Sequence, residues 1–257
     1  MKNSLHSKSN SILTTVFSFV LIYLIAFTVF KVNNNSLVFP NPNNVLNEFF
    51  VLLSLKQTYK LIFSTLLRLL LTLSISFILG VILGVVASLS RNVEGLLKPY
   101  VTIIRSLPVV VLLVFFVMVL GFQLTPYFLT CFVLIPLFYE ATLKGIKSID
   151  SDYLDVCKME GNFNFKIIRR VLLPMSAGYI GQALISAIGL GFKVLVVGEY
   201  MSATKNSLGN VIYSNAHNLE YIKVYAWCII LICLVLIVEA LPKVIIKIRG
   251  ILLNVVD

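Results

Sequence analysis

Charged residues are scarce in this chain. Only 12% of its 257 residues are Asp, Glu, Lys or Arg, whereas 59% are hydrophobic. A water-soluble domain could not cover its surface with so few polar groups, so this composition excludes that class. Several long apolar runs are present instead, and they predict an all-α protein that crosses a membrane several times.

Patterns typical of metal sites and enzymes are also missing. The four cysteines form no C-x-x-C pair, and His6 and His217 lie in separate polar segments, which excludes a zinc site of ordinary spacing. No G-x-x-x-x-G-K-[ST], H-E-x-x-H or G-x-S-x-G motif occurs. We therefore expect this chain to be no enzyme and to hold no catalytic residue, metal or cofactor.

Six apolar runs are candidates for membrane spans, each of which needs about 20 apolar residues. The second run is longer than the hydrocarbon layer requires, so it must tilt or project from the bilayer. The predicted spans are Ile12–Phe30, Leu61–Leu89, Val101–Leu120, Pro126–Thr142, Gly178–Met201 and Trp227–Ile246.

The distribution of basic residues predicts the orientation. The net charge of +10 would suit nucleic acid in a soluble protein, but in a membrane protein basic residues collect in cytoplasmic loops. Most Lys and Arg fall on one side when both tails, 1–11 and 247–257, are cytoplasmic. We therefore predict a multi-pass protein of the cell inner membrane, surrounded by lipid and with no nucleic-acid partner. An Asn- and Pro-rich external linker, 31–57, separates the peripheral helix 12–30 from a permease domain, 58–246.

The longest polar interruption on the predicted cytoplasmic side is the loop 144–174. Polar residues at its start can cap a short helix, Tyr153–Glu160, and Gly161 suits the left-handed residue that ends it. A second helix, Phe163–Leu173, follows, and Pro174 can open the segment that leads into the fifth span. From the residues alone, two interpretations remain open: a docking surface for a partner protein, or an amphipathic interfacial hairpin without a partner.

This loop resembles a motif of the permeases of binding-protein-dependent ABC importers. That motif is E-A-A, then a Gly four residues on, then a closing I-x-L-P, and its spacing is complete here. An aspartate keeps the negative charge of the first position, whereas the two alanines are replaced by bulkier residues. The matching residues are Asp155, Val156, Cys157, Gly161, Val171, Leu173 and Pro174.

Three more segments are similar, in the same order, to the nitrate/sulfonate/taurine branch of this family. They read FPNPNNVLNEF, SLSRNVEGLLKPYVTIIRSLPVV and GEYMSATKNSLGNVI. The resemblance implies a type I importer fold with a five-helix core, in which the loop 144–174 supplies the coupling helix. It also implies a second copy of this permease, separate subunits that bind and hydrolyse ATP, and an extracytoplasmic substrate-binding protein.

The implied cargo is a small solute such as a sulfonate, nitrate, taurine or a pyrimidine or thiamine precursor. The alternative is a secondary transporter or channel that works without an ATPase. Such a protein would be expected to carry functional charges at mid-membrane, and it would not need the long inner loop.

Arg68, Lys193 and Glu199 are candidates for the translocation path because they are charged and fall within predicted spans. Arg68 lies roughly 10 Å inside the outer end of its span, where its long side chain could also snorkel to the interface. Lys193 and Glu199 are about 240° apart around an ideal helix, so they should not pair within one straight helix. Lys193 could meet an anionic substrate, or a partner across a two-fold interface.

Two further patterns predict contacts within and between spans. Glu239 precedes Lys243 by four residues, which favours an ion pair along the last span. Gly80 and Gly84 form a G-x-x-x-G in the second span, which favours close helix packing. Close approach or bending is also expected at the glycines of the fifth span: Gly181, Gly189 and Gly191.

Overall fold

The computed structural model describes residues 38–153 and 165–253, together with residues 21, 24, 25, 27, 28 and 30–32, and it describes side chains as far as residue 242. The described chain is helical and contains no strand, so the all-α prediction is confirmed. Its elements are α1 (Pro42–Ser54), α2 (Lys56–Leu89), α3 (Arg91–Ser106), α4 (Val109–Leu120), α5 (Thr125–Lys147), α6 (Phe165–Ile167), a π-helical turn (Ile168–Leu172), α7 (Leu173–Met175), α8 (Ala177–Met201), α9 (Leu208–His217) and α10 (Tyr221–Leu253).

Four helices are long and apolar enough to cross a membrane: α2, α5, α8 and the part of α10 from Tyr221 to Pro242. The pair formed by α3 and α4 would supply a fifth span if it were taken as one element. The described residues thus account for four or five of the six predicted spans. The first predicted span, Ile12–Phe30, lies mostly outside the described residues and stays a prediction.

The third predicted span, Val101–Leu120, is wrong as a single helix. The chain bends by 101° between α3 and α4. Leu107 is extended, with φ −73° and ψ 133°, and Pro108 is the N-cap of α4. A proline disfavours helical geometry at the residue before it and supplies no N–H to continue the helix. The break therefore follows directly from the Leu107–Pro108 pair.

The predicted linker 31–57 contains the helix α1. The Asn41 side chain accepts a hydrogen bond from the backbone N–H of Asn43 at 3.0 Å. Pro42 then occupies the first turn, where its missing N–H costs nothing. An Asn-Pro pair that reads as a loop signal therefore also begins a helix.

The chain divides into two compact units, one of 1–59 with 214–231 and the other of 60–213 with 232–257. In the first unit the Tyr225 hydroxyl donates to the backbone oxygen of Val38 at 3.3 Å, which ties α10 to the segment before α1. All candidate residues discussed below lie in the second unit.

Helix α5 supplies the centre of the second unit. Its buried side chains pack against α4 at one end, against α8 in the middle, and against α2 and the π-helical turn at the other end. The buried residues of these three clusters are Leu112, Leu113, Phe116, Leu129 and Val194; then Leu134, Phe138, Ala183 and Ala187; then Val85, Ile146, Ile149 and Leu172.

The G-x-x-x-G prediction is confirmed, because α2 meets α5 at these two glycines. A Cβ on Gly80 would lie 2.5 Å from the Cβ of Phe138, and one on Gly84 would lie 2.6 Å from the Cβ of Thr142. Close approach also occurs in α8 at Gly189 and Gly191. Gly181 differs, since a Cβ there would meet nothing within 4 Å.

We expect Gly80→Ala to destabilise the protein by about 1–3 kcal/mol, because overpacking forces neighbouring groups to move. Gly95→Ala in α3 is the matched control, since a Cβ at Gly95 meets nothing within 4 Å. That control should be neutral or slightly stabilising, as alanine favours helix over glycine. The midpoint of thermal unfolding in detergent measures both variants. Equal midpoints would show that the α2–α5 contact is not tight.

Candidate functional site

Arg68 of α2 and Glu199 of α8 form an ion pair between two spans. The Arg68 Nη1 and the Glu199 Oε1 are 2.9 Å apart, and the two side chains are 12% and 0% exposed. Arg68 therefore pairs across spans instead of snorkelling to the membrane surface. A pair this well buried persists only if its other hydrogen-bonding groups are also satisfied.

The Glu199 carboxylate has further donors around it. The Thr65 hydroxyl lies 3.1 and 3.0 Å from its two oxygens, and the backbone N–H of Gly209 donates at 3.4 Å. Thr65 in turn accepts from the N–H of Leu208 at 3.2 Å. A Cβ on Gly209 would lie 2.6 Å from the Cβ of Glu199, so this close approach requires a glycine. The start of α9 is thereby held against α2 and α8.

Arg68 uses its remaining donors on the loop between α8 and α9. Its Nη2 donates to the carbonyl of Lys205 at 2.9 Å, and its Nη1 also reaches the carbonyl of Asn206 at 3.2 Å. Its Nε donates to the hydroxyl of Tyr127 in α5 at 3.1 Å. The Arg68 guanidinium thus connects α2, α5, α8 and the loop 202–207. Its several N–H donors lie in one plane and can reach several acceptors at once.

The loop 202–207 is a tight, internally bonded turn. Ala203 and Asn206 have φ of 46° and 54°, a region that L-residues adopt at a cost. Buried hydroxyls offset this cost: Ser202 donates to the carbonyl of Gly198 at 2.7 Å, and Ser207 donates to that of Thr204 at 2.7 Å. The turn is therefore held in one conformation beside the Arg68–Glu199 pair.

Lys193 pairs with Glu239, not with Glu199. The Lys193 Nζ and the Glu239 Oε1 are 2.9 Å apart, which joins α8 to α10. Gly189 makes room, because a Cβ there would lie 2.5 Å from the same oxygen. The side chain of Lys243 lies outside the described residues, so the expected pair of Glu239 with Lys243 stays a prediction beside this contact between helices.

The exposed face of α8 carries polar side chains together with apolar ones such as Leu190 and Val197. Its polar members, at helical spacing, are Tyr179, Gln182, Ser186 and Lys193, and we call them the polar stripe. Lys193 is 59% exposed although it lies well inside the span. The exposed face of α2, in contrast, is apolar from Phe63 to Val86 apart from Ser74. The hydroxyls of Ser74 and Ser186 each bond to a carbonyl of their own helix. Lipid suits the apolar face of α2, whereas the exposed ammonium group of Lys193 would be costly in lipid.

The loop motif is only partly described. Asp155, Val156, Cys157 and Gly161 lie outside the described residues. Its closing residues are Val171, in the π-helical turn, and Leu173 and Pro174, in α7.

The end of the loop packs firmly against the spans. Pro174 has no N–H and crowds the carbonyl four residues before it, which accounts for the wider turn that precedes it. Leu172 is fully buried against Val85 and Ile146 of α2 and α5. A displacement of this loop would therefore reach both helices.

Sequence reasoning missed several partners in this unit. Tyr127 and Thr65 were not candidates, although they contact Arg68 and Glu199 directly. Glu140, inside a predicted span, pairs with Arg105 and with Lys144, the latter at 3.4 Å. The signal for Glu140 was present, since a charge in an apolar run requires a partner.

Comparison with known proteins gives a family and a fold. The family model described as "Binding-protein-dependent transport system inner membrane component" matches residues 76–247.

Two proteins of Bacillus subtilis (strain 168) are similar in sequence. The glycine betaine/carnitine/choline transport system permease protein OpuCD is 28% identical over 132 residues, which are 50% of this chain and 56% of the relative. The choline transport system permease protein OpuBD is 29% identical over 120 residues, or 45% and 52%. The chain thus spans about half the length of these relatives.

Two solved structures are similar in fold. An inward-facing structure of the MetNI methionine ABC transporter matches with a TM-score of 0.64 and 17% identity, covering 74% of this chain and 95% of that one. A bacterial ABC transporter involved in import of the acidic polysaccharide alginate matches with a TM-score of 0.64 and 16% identity, covering 93% and 96%. At these identities the likeness concerns the fold alone.

Proposed function

Because the chain belongs to the family of binding-protein-dependent transport system inner membrane components, we propose that it is the membrane-spanning permease subunit of an ATP-driven importer. The observation that carries this proposal is the family match over residues 76–247, which includes both the loop 144–174 and the polar stripe of α8. Two copies of this chain enclose the path. Separate ATPase subunits act on the cytoplasmic side, where both termini lie, and a substrate-binding protein delivers the solute from outside.

The polar stripe lines the path in this proposal. Lys193 is half-exposed at a depth where lipid contact is costly, and its neighbours along the stripe, Ser186 and Gln182, are also polar. Water or a polar solute satisfies such side chains, whereas acyl chains do not. Lys193 therefore has the strongest support among the three path candidates.

Arg68 and Glu199 act at the path indirectly. Their charges neutralise each other and their hydrogen bonds go to α2, α5, α8, α9 and the loop 202–207. We propose that the pair holds this loop at the outer end of the path, where the binding protein docks. A rigid loop presents a preformed surface and lowers the entropic cost of docking.

The motif residues form the coupling element. The segment with Asp155 and Gly161 seats in a cleft of the ATPase, and the buried Leu172 transmits its displacement to α2 and α5. ATP binding then changes the relative stability of inward-open and outward-open states. A channel or secondary transporter would not use this contact.

The cargo is a small polar solute. The resemblance in sequence favours a sulfonate, nitrate, taurine or a pyrimidine or thiamine precursor, whereas the relatives are described as carrying glycine betaine, carnitine and choline. The Lys193–Glu239 pair suits solutes that carry charged groups. Binding of taurine, nitrate and glycine betaine to the partner binding protein would separate these classes.

We expect Gly161→Val to lower both uptake and substrate-stimulated ATP hydrolysis of the reconstituted importer, because a β-branched residue disfavours the left-handed helix end that the sequence predicts at this position. Gly178→Val is the matched control: a Cβ at Gly178 meets nothing within 4 Å, so transport should persist. Membrane insertion is checked for both variants. Normal coupled hydrolysis in the Gly161 variant would contradict the coupling role, and uptake by the purified chain without an ATPase would contradict the importer itself.

A further inference from the structure

Helix α3 is nearly perpendicular to α4, the helix that follows it: the chain bends by 101° between them. Helix α4 packs along the spanning helix α5 through Phe116 and Phe132, whose ring centroids are 5.3 Å apart. Because α4 runs with the span α5, we infer that α3, at about a right angle to α4, lies along the membrane surface. Its 16 residues give a rod of roughly 24 Å at 1.5 Å per residue.

One side of α3 is fixed to the end of α5. Glu94 pairs with Lys147, and Arg105 pairs with Glu140, so both ends of α3 are held by charged side chains of α5. Between these pairs Leu97 and Val101 are half-buried. These contacts determine which side of α3 remains free.

The free side is apolar. Leu96, Tyr100 and Ile103 recur at helical spacing and are 62%, 61% and 55% exposed. No described residue covers them. They form an apolar stripe of the kind that a helix buries at a membrane interface.

The opposite side is basic. Arg91 and Lys98 lie seven residues apart on one face, are exposed, and form no ion pair among the described residues. Glu94, the one acidic residue of α3, is already neutralised by Lys147. Cations at this position attract anionic headgroups, whereas a protein partner that buried the apolar side would not require them.

We propose that α3 is an interfacial helix that binds anionic phospholipid, with Leu96, Tyr100 and Ile103 among the acyl chains and Arg91 and Lys98 at the phosphates. Because α3 is fixed to α5 at both ends, lipid composition would act directly on a span of the permease. This inference does not depend on the solute or the ATPase; only its assignment to the cytoplasmic leaflet rests on the proposed orientation.

Fluorescence quenching tests the proposal. The chain has one tryptophan, Trp227, so Y100W in a W227F background places a single fluorophore on α3. The full chain is reconstituted with lipids brominated in the acyl chain, either phosphatidylglycerol or phosphatidylcholine. We expect quenching by both, with phosphatidylglycerol favoured about fivefold per basic residue. R91Q/K98Q should remove that preference, while K56Q/K60Q, which changes two exposed lysines of α2, should keep it.

Absence of quenching would overturn the proposal, and so would a preference that survives R91Q/K98Q. Crosslinking between two copies of Y100C at that position would also overturn it, because the face would then be covered by protein. A second measurement avoids the W227F change: native mass spectrometry of the purified chain should show anionic lipid retained by the unmodified protein and lost from R91Q/K98Q.

Discussion

Replacing Arg68 with methionine is expected to destabilise the folded chain by about 3–5 kcal/mol, the cost typical of breaking a buried ion pair by removing one partner. The substitution leaves the fully buried Glu199 carboxylate without its cation. It also removes the donors to the carbonyls of Lys205 and Asn206, so the loop 202–207 loses its attachment to α2. The midpoint of thermal unfolding in detergent measures the loss.

Arg105→Met is the matched control. Arg105 is also an arginine in an ion pair, but it and Glu140 are both partly exposed, and such pairs contribute about 0–1 kcal/mol. A double-mutant cycle with Glu199→Gln isolates the pairing energy from other effects of each change. If Arg68→Met unfolded no more readily than Arg105→Met, the Arg68–Glu199 pair would not be what holds the outer loop.

The spanning helices could be predicted from the sequence because their signal is local. An apolar run of the right length has few alternatives in a bilayer, where every backbone group must be bonded within the helix. The packing of Gly80 and Gly84 was predictable for a similar reason, since a missing side chain matters only where another helix approaches. Family membership was predictable from the spacing of the loop motif.

The partners of the charged residues could not be predicted. Arg68, Lys193 and Glu199 stood out as charged residues within predicted spans, but their ion pairs join residues from 46 to 131 positions apart. The Lys193–Glu239 pair forms where Gly189 lets α10 approach α8. Which residues form ion pairs depends on how the helices cross, and no short stretch of the sequence contains that information.

The break between α3 and α4 is a different case, because its signal was present. Hydropathy averaged over the run concealed Pro108, although a proline after an extended residue ends helices. If Pro108 had been taken as the end of a helix, the sequence would have predicted an amphipathic α3 separate from the apolar α4. The interfacial helix, and with it the ion pairs of Glu94 and Arg105, would then have been expected.

Reversing the charge of Lys193 is expected to reduce ATP-driven uptake by about tenfold or more. Lys193→Glu presents a carboxylate where the solute met an ammonium group, and the loss of about 1.4 kcal/mol of interaction with the solute corresponds to tenfold. It also places a second carboxylate beside Glu239, which destabilises the contact between α8 and α10. Uptake of the solute by reconstituted importer measures the effect. Lys223→Glu is the matched control, because Lys223 pairs with Glu220 at an exposed position outside the polar stripe.

The charge swap Lys193→Glu with Glu239→Lys separates a path role from a purely structural one. The swap restores attraction between α8 and α10, so the midpoint of thermal unfolding should return towards that of the unmodified protein. Uptake should remain low, because the stripe now presents a carboxylate where the solute met an ammonium group. Recovery of uptake together with stability would contradict the path role, since only the bond between the helices would then matter.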